Sequence, residues 1–237
     1  MGIGKEIFEL CDKIKYNFAD IRLLECALTH SSYTNEVKAK GIRALSNESL
    51  EFLGDAVLQI VISEQLFDKY SSLGEGALTR MRQHLVCEST LARIARSIRL
   101  GDYLNVGTGE ETSKLREREK VLADATEALI AAIYKDAQAS GKGNYKQVIL
   151  NLFSDELLEI ENNSSSDYKT MLQQFVEKNP DSVLRYEYEE TGPEHNKRFF
   201  ATAYINNNRV GTGTGTTKRA SEMQAAKSAL RLFGIIR

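Results

Sequence analysis

Proline is almost missing from this sequence. Only Pro180 and Pro193 occur among 237 residues, so nothing in the first two-thirds of the chain breaks a long helix. Cysteine is sparse too: Cys11, Cys26 and Cys87 are odd in number, far apart and form no CxxC pair. That excludes a disulfide framework and a structural zinc site, and makes a reducing cytoplasm the expected compartment. No apolar run reaches the roughly 18–20 residues that span a bilayer, and residues 1–10 lack the basic start and apolar middle of a secretory signal. Histidine is limited to His30, His84 and His195, each isolated and expected to be structural or a surface contact. Neither charge dominates, with 31 basic and 33 acidic side chains. What is present is a 42% hydrophobic content, which excludes disorder throughout and suffices for one large domain or two smaller ones.

The near-neutral total hides an asymmetry. Residues 167–237 carry 11 basic and 8 acidic side chains, whereas residues 1–166 carry 20 and 25. A mildly basic tail on an acidic body indicates two units with different tasks. Between them, Glu161-Asn162-Asn163-Ser164-Ser165-Ser166 holds no apolar residue and reads as a flexible linker.

Periodicity also changes at this point. Before it, apolar residues recur at helical spacing, as in Leu50, Leu53, Val57, Ile60, Val61 and again Leu122, Ala125, Leu129, Ala132, Ile133. Residues 1–160 are expected to be all-α, with turns at Gly101, Gly107 and Gly109. After it, a helix over 167–178 is expected, then strands over 184–189, 199–205 and 209–214, with Asn206-Asn207-Asn208 as a turn and a helix over 218–233. The expected fold is an all-α domain followed by a small α+β domain of order α-β-β-β-α. Tyr186, Tyr188, Phe199, Phe200 and Tyr204 are expected in the core of its sheet.

The chemistry lies in the carboxylates. Glu48, Glu51 and Asp55 are spaced i, i+3, i+7 and share a helical wedge roughly 60° wide. Read alone, this stripe could be a solvated acidic face. Two features argue otherwise. The acids are interleaved with Leu50, Phe52, Leu53 and Val57, where charge is expensive unless paired. A second pair, Asp124 and Glu127, sits at i, i+3 in another apolar helix. Carboxylates from two helices meeting in a helical interior can hold divalent metal, and an oxygen-only set favours Mg²⁺ or Mn²⁺. Phosphodiester hydrolysis is the natural reaction of such a centre.

At this point the residues resemble a known family. Asn47-Glu48-Ser49-Leu50-Glu51-Phe52-Leu53-Gly54-Asp55-Ala56-Val57-Leu58 is similar to the ribonuclease III signature, NERLEFLGDxxL. It departs at Ser49, where arginine is usual. Thr29-His30, Gly109-Glu110-Glu111 and residues 122–130 follow in the family's order, with Ser31 in place of a basic residue and Ser113-Lys114-Leu115 in place of a Ser-Gly-Gly-type run. The resemblance implies a Mg²⁺-dependent endonuclease of double-stranded RNA that leaves 5′-phosphate and 3′-hydroxyl ends with short 3′ overhangs. Precursor ribosomal RNA and structured messengers are the implied substrates. It also implies a homodimer, with Phe52 packing into the partner subunit. Glu51, Asp55, Asp124 and Glu127 match the metal-binding positions. Asp55 and Glu127 match the catalytic ones, and Glu48 and Glu75 match further acids of the cleavage centre.

The tail supplies binding. Gly211-Thr212-Gly213-Thr214-Gly215-Thr216-Thr217-Lys218 fails the phosphate-loop pattern, because Lys218 follows threonine instead of glycine, and no nucleotide cofactor is expected. The run from Gly213 to Glu222 instead resembles the GxGxSKKxAE motif of double-stranded RNA-binding domains. That resemblance assigns duplex contacts to Thr170, Gln173, Gln174 and Glu177, to the 192–197 loop with His195, and to Lys218, Arg219 and Lys227.

Overall fold

The computed structural model describes residues 3–111, 114–192 and 197–236. It contains helices α1 (Ile3–Ile14), α2 (Ile21–Ala27), α3 (Ser31–Ala39), α4 (Glu48–Tyr70), α5 (Glu75–Val86), α6 (Glu88–Ser97), α7 (Thr108–Glu111), α8 (Glu119–Ser140), α9 (Tyr145–Leu152) and α10 (Ser154–Glu177). Strands β1 (Leu184–Thr191), β2 (Arg198–Ile205) and β3 (Asn208–Gly215) follow, and α11 (Lys218–Leu232) closes the order. The chain divides into two compact units, Met1–Asp68 with Arg80–Leu157, and Lys69–Thr79 with Leu158–Arg237. Among the described residues no helix is long and apolar enough to cross a membrane.

The first unit is all-α and is built around α8. From Val121 to Ile133 every residue of this helix is buried except Asp124 and Glu127, which are half-buried. A helix apolar on all sides is a core element. Side chains from the other helices surround it, among them Leu10, Ile14, Leu24, Ala92 and Val148, joined by Leu28 just past α2. Asp136, at 1% exposure, is the buried charge of this helix. It accepts hydrogen bonds from the Tyr16 hydroxyl (2.8 Å) and from the backbone N–H groups of Ala19 (3.0 Å) and Asp20 (2.7 Å). These fix the α1–α2 connection to α8 and compensate the carboxylate for its lost hydration.

The second unit is an antiparallel sheet of order β1-β2-β3 backed by helix. The β2–β3 turn places Asn206 at φ 56°, a left-handed conformation that asparagine tolerates. Alternation along β2 buries Ala201 and Ala203 beneath α11. On β3, Gly211, Gly213 and Gly215 face the same helix, and a methyl on Gly213 would lie 2.3 Å from the Ala225 nitrogen. The glycine repeat therefore exists so that sheet and helix backbones can touch. Ala225, Ala226, Ala229 and Leu230 of α11, with Leu172 and Val176 of α10, complete this core.

Two expectations need correction. The polar segment 161–166, expected as a flexible linker, is helical backbone within α10. It contains neither proline nor glycine, so nothing in it stops a helix that the residues on both sides favour. The five tail aromatics do not all enter the core. Tyr186 is half-buried and packs against it, but Tyr188 and Phe200 are 39% and 41% exposed. The pleat sends Phe200 and Tyr204 to the face opposite Ala201 and Ala203.

Candidate metal centre and nucleic-acid interface

The start of α4 is held by backbone. Asn47, 3% exposed, donates its N–H to the Thr29 carbonyl (2.8 Å), and Glu51 donates to the Asn47 carbonyl (2.8 Å). Thr29 bridges to Asn105, and the His30 ring nitrogen Nδ1 caps α3 by accepting from the Ser32 N–H at 3.1 Å. Glu48 and Glu51 thus occupy the first turn of α4, where the helix dipole favours anions.

Further along, α4 meets α8 at Gly54. A methyl placed there would lie 1.8 Å from the Glu127 carbonyl oxygen, so only glycine lets the helices come this close. The approach brings Glu51, Asp124 and Glu127 together, with one carboxylate oxygen from each lying within 4.8 Å of the others. The electrostatics record the crowding. Burial pushes the Glu127 carboxyl up to about 7, and the negative charges of Asp55, Glu51 and Asp124 add to the shift. Burial also raises Glu51, with Asp124 and Glu48 adding to it and Lys120 opposing. Asp124 is raised by burial, opposed by Lys120 and His30 and reinforced by Glu88. Three half-buried like charges are unfavourable on their own and suit a divalent cation, and their all-oxygen chemistry fits Mg²⁺ or Mn²⁺.

The other expected acids stand outside this trio. Asp55 is exposed, with Gln59 Nε2 at 3.4 Å, and acts on Glu127 through its charge. Glu48 is exposed and accepts from Ser46 Oγ at 2.8 Å. Glu75 is exposed at the start of α5 and accepts from Thr79 Oγ1 at 3.0 Å. Phe52 is 82% exposed and shares a face of α4 with Ile60 and Phe67, also exposed.

Three features escaped the reading of the sequence. Lys120 is the cation beside Glu51 and Asp124, the His30 ring also bears on Asp124, and Gly54 is the contact that assembles the cluster. Lys120 lies one helical turn before Asp124, a spacing that could have been noticed. The partner of Gly54 is on a distant helix and leaves no local trace.

In the second unit Thr170, Gln173, Gln174 and Glu177 are exposed on one face of α10, with Gln173 donating to Glu177 at 2.8 Å. Lys218 and Arg219 open α11 and are exposed. The Thr217 hydroxyl caps that helix by accepting from the Ala220 N–H at 3.1 Å. Lys227 is half-buried, its Nζ 5.2 Å from the centre of the Tyr168 ring. His195 lies outside the described residues.

Comparison with known proteins gives consistent results along the chain. A family model for Ribonuclease-III-like proteins matches residues 20–157, and one for the double-stranded RNA binding motif matches residues 168–232. Ribonuclease 3 of Natranaerobius thermophilus is 44% identical over 236 residues, covering 97% of this chain and 98% of that protein. Ribonuclease 3 of Caldanaerobacter subterraneus is 45% identical over 227 residues, covering 95% and 97% respectively. Among solved structures, the nuclease domain of ribonuclease III from Campylobacter jejuni is 39% identical with a TM-score of 0.56, covering 64% of this chain and 95% of its own. A second structure of that domain has 38% identity and a TM-score of 0.55, covering 62% of this chain and 96% of its own. It shows structural flexibility in a region involved in dimer formation.

Proposed function

The chain belongs to the ribonuclease III family of double-stranded RNA endoribonucleases, and we propose that it hydrolyses its substrate with Mg²⁺, leaving 5′-phosphate and 3′-hydroxyl ends. The observation that carries this reading is the convergence of Glu51, Asp124 and Glu127 from two helices to within 4.8 Å. With Asp55 they form the proposed metal set. A bound divalent ion would lower the pKa of water and stabilise the charge that builds on phosphorus. Glu127, the most strongly shifted of these acids, orients the attacking water by accepting a hydrogen bond at its carboxylate. Asp55 acts with it, and Glu48 and Glu75 serve as secondary acids.

We assign residues 1–160 to catalysis and 167–237 to duplex binding, with 161–166 between them. The α10 face, the 192–197 loop with His195, and Lys218, Arg219 and Lys227 contact the duplex. A-form RNA offers successive minor grooves with 2′-hydroxyls, separated by a major groove lined with phosphate. The active form is a homodimer. A duplex has two antiparallel strands, and a two-fold pair of sites cuts both in matching orientation, the offset giving short 3′ overhangs. The exposed Phe52, Ile60 and Phe67 support a partner on that face of α4. Processing of ribosomal RNA precursors and structured messengers in the cytoplasm is the proposed role.

The test is a cleavage assay on long duplex RNA with purified protein, in Mg²⁺ and in chelator, with the product ends typed. Cleavage in Mg²⁺ alone, giving 5′-phosphate, is expected. Equal cleavage in chelator, or 5′-hydroxyl ends, would reject the proposal.

A further inference from the structure

We propose that Glu190 is a built-in stand-in for RNA phosphate: it holds Lys197 and Lys218 in the free protein, and its displacement by the duplex sets binding strength and release. This rests on the reading of Lys218 as a phosphate contact. Glu190 lies near the end of β1. Its Oε1 is 3.3 Å from the Nζ of Lys218, in the first turn of α11, and its Oε2 is 3.8 Å from the Nζ of Lys197, which leads into β2. One carboxylate thus joins the β1–β2 connection to the start of α11, two of the surfaces assigned to RNA.

Lys218 has a second restraint. Its Nζ lies 5.8 Å from the centre of the Tyr188 ring, and the Tyr188 hydroxyl donates to Glu222, which also pairs with Lys169. The cation therefore rests beside a ring whose tip is fixed.

These contacts are built to be released. The Lys218 and Glu190 side chains are 58% and 44% exposed, and separations of 3.3 and 3.8 Å exceed the ~2.7–2.9 Å of a tight charge-assisted hydrogen bond. Exposed pairs of this kind are weak. Phosphate offers the same charge and the same oxygen acceptors, with release of counterions from the duplex in addition. The neighbouring Glu187 differs, because it pairs with Arg185 on the opposite face of the strand.

Duplex binding by the full-length protein in chelator, measured by fluorescence anisotropy on RNA of about 20 base pairs, longer than the ~16 such a domain spans, tests the proposal. Glu190→Gln is expected to tighten binding about two- to fivefold, the range set by exposed ion pairs, and to slow dissociation. Glu187→Gln makes the same charge change and should leave affinity unaltered. In a Lys218→Ala background the gain from Glu190→Gln should shrink to what release of Lys197 alone supplies, and an undiminished gain would overturn the proposal. Unchanged or weaker binding by Glu190→Gln, or equal tightening by Glu187→Gln, would overturn the proposal. If Lys218→Ala alone leaves affinity and salt dependence untouched, the assignment of the RNA face itself fails, and the proposal with it.

Discussion

Gly54 rests directly on the backbone of Glu127: a methyl on its Cα would sit 1.8 Å from the Glu127 carbonyl oxygen and 2.4 Å from the carbonyl carbon. Two effects oppose each other here. Glycine inside a helix costs about 0.5–1 kcal/mol relative to alanine, so propensity alone predicts that alanine would stabilise α4. Contact decides the opposite, because the clash is with main chain and no side chain can turn aside.

Gly54→Ala should therefore force α4 and α8 apart. Overpacking of this severity belongs at the upper end of the usual range, about 3 kcal/mol, or roughly 6–12 °C in Tm for a protein of this size. Cleavage should fall further than stability does, since the separation moves Glu51 away from Asp124 and Glu127. Thermal unfolding and a cleavage assay on the same preparation check both.

The raised proton affinity of Glu127 gives a pH dependence with a definite sign. Between its ordinary value near 4.5 and the folded value of about 7, the folded protein binds a proton that the unfolded chain has released. Stability of the metal-free protein must then fall as pH rises through that window. Glu51 and Asp124 shift in the same direction. Asp136 acts in the opposite sense. Burial raises its affinity for a proton, but hydrogen bonds from Ala19, Asp20 and Tyr16 outweigh this and hold it low, so its contribution is lost only at more acid pH. In chelator, Tm should drop from pH 5 to pH 8. Glu127→Gln should flatten that slope and unfold at a higher temperature than the parent protein at pH 8.

Gly213→Ala tests the second unit by the same reasoning. Its methyl would meet the Ala225 nitrogen at 2.3 Å and the Ser221 carbonyl oxygen at 2.4 Å. Duplex RNA binding should fall sharply while Mn²⁺ still binds the acid cluster. Loss of both together would contradict the division into two units.

Lys218→Ala and Arg219→Ala should each reduce the salt dependence of duplex binding by about 0.9 in the logarithmic slope, one counterion's worth. Affinity titrations at several salt concentrations measure this. An unchanged slope would place the RNA face elsewhere.

The acid cluster was legible because its evidence is local: Glu48, Glu51 and Asp55 share a stripe by spacing, as do Asp124 and Glu127. Strand alternation and the Asn206 turn were legible for the same reason. What distant backbone decides was not. Gly54 reads as a weak helix residue until α8 is brought against it, and the glycines of β3, which fail the phosphate-loop pattern, gain a packing role only once α11 covers them. Strand periodicity separates the two faces of β2 but does not say which one the helices cover, so the sequence does not tell that Phe200 and Tyr204 lie on the face away from Ala201 and Ala203. The segment 161–166 is polar enough to be a linker and free enough of helix breakers to be a helix, and composition does not choose between them. Lys120 and His30 gained meaning only once Asp124 lay beside them.

The central claim is that Glu51, Asp124 and Glu127 form one divalent-cation site. Crystals soaked in Mn²⁺ and measured at its absorption edge test this directly. The account predicts an anomalous peak among those three carboxylates, absent from Glu127→Gln crystals treated identically. Carboxylates free of metal in a soaked crystal of protein that cleaves duplex RNA with Mn²⁺ would contradict it.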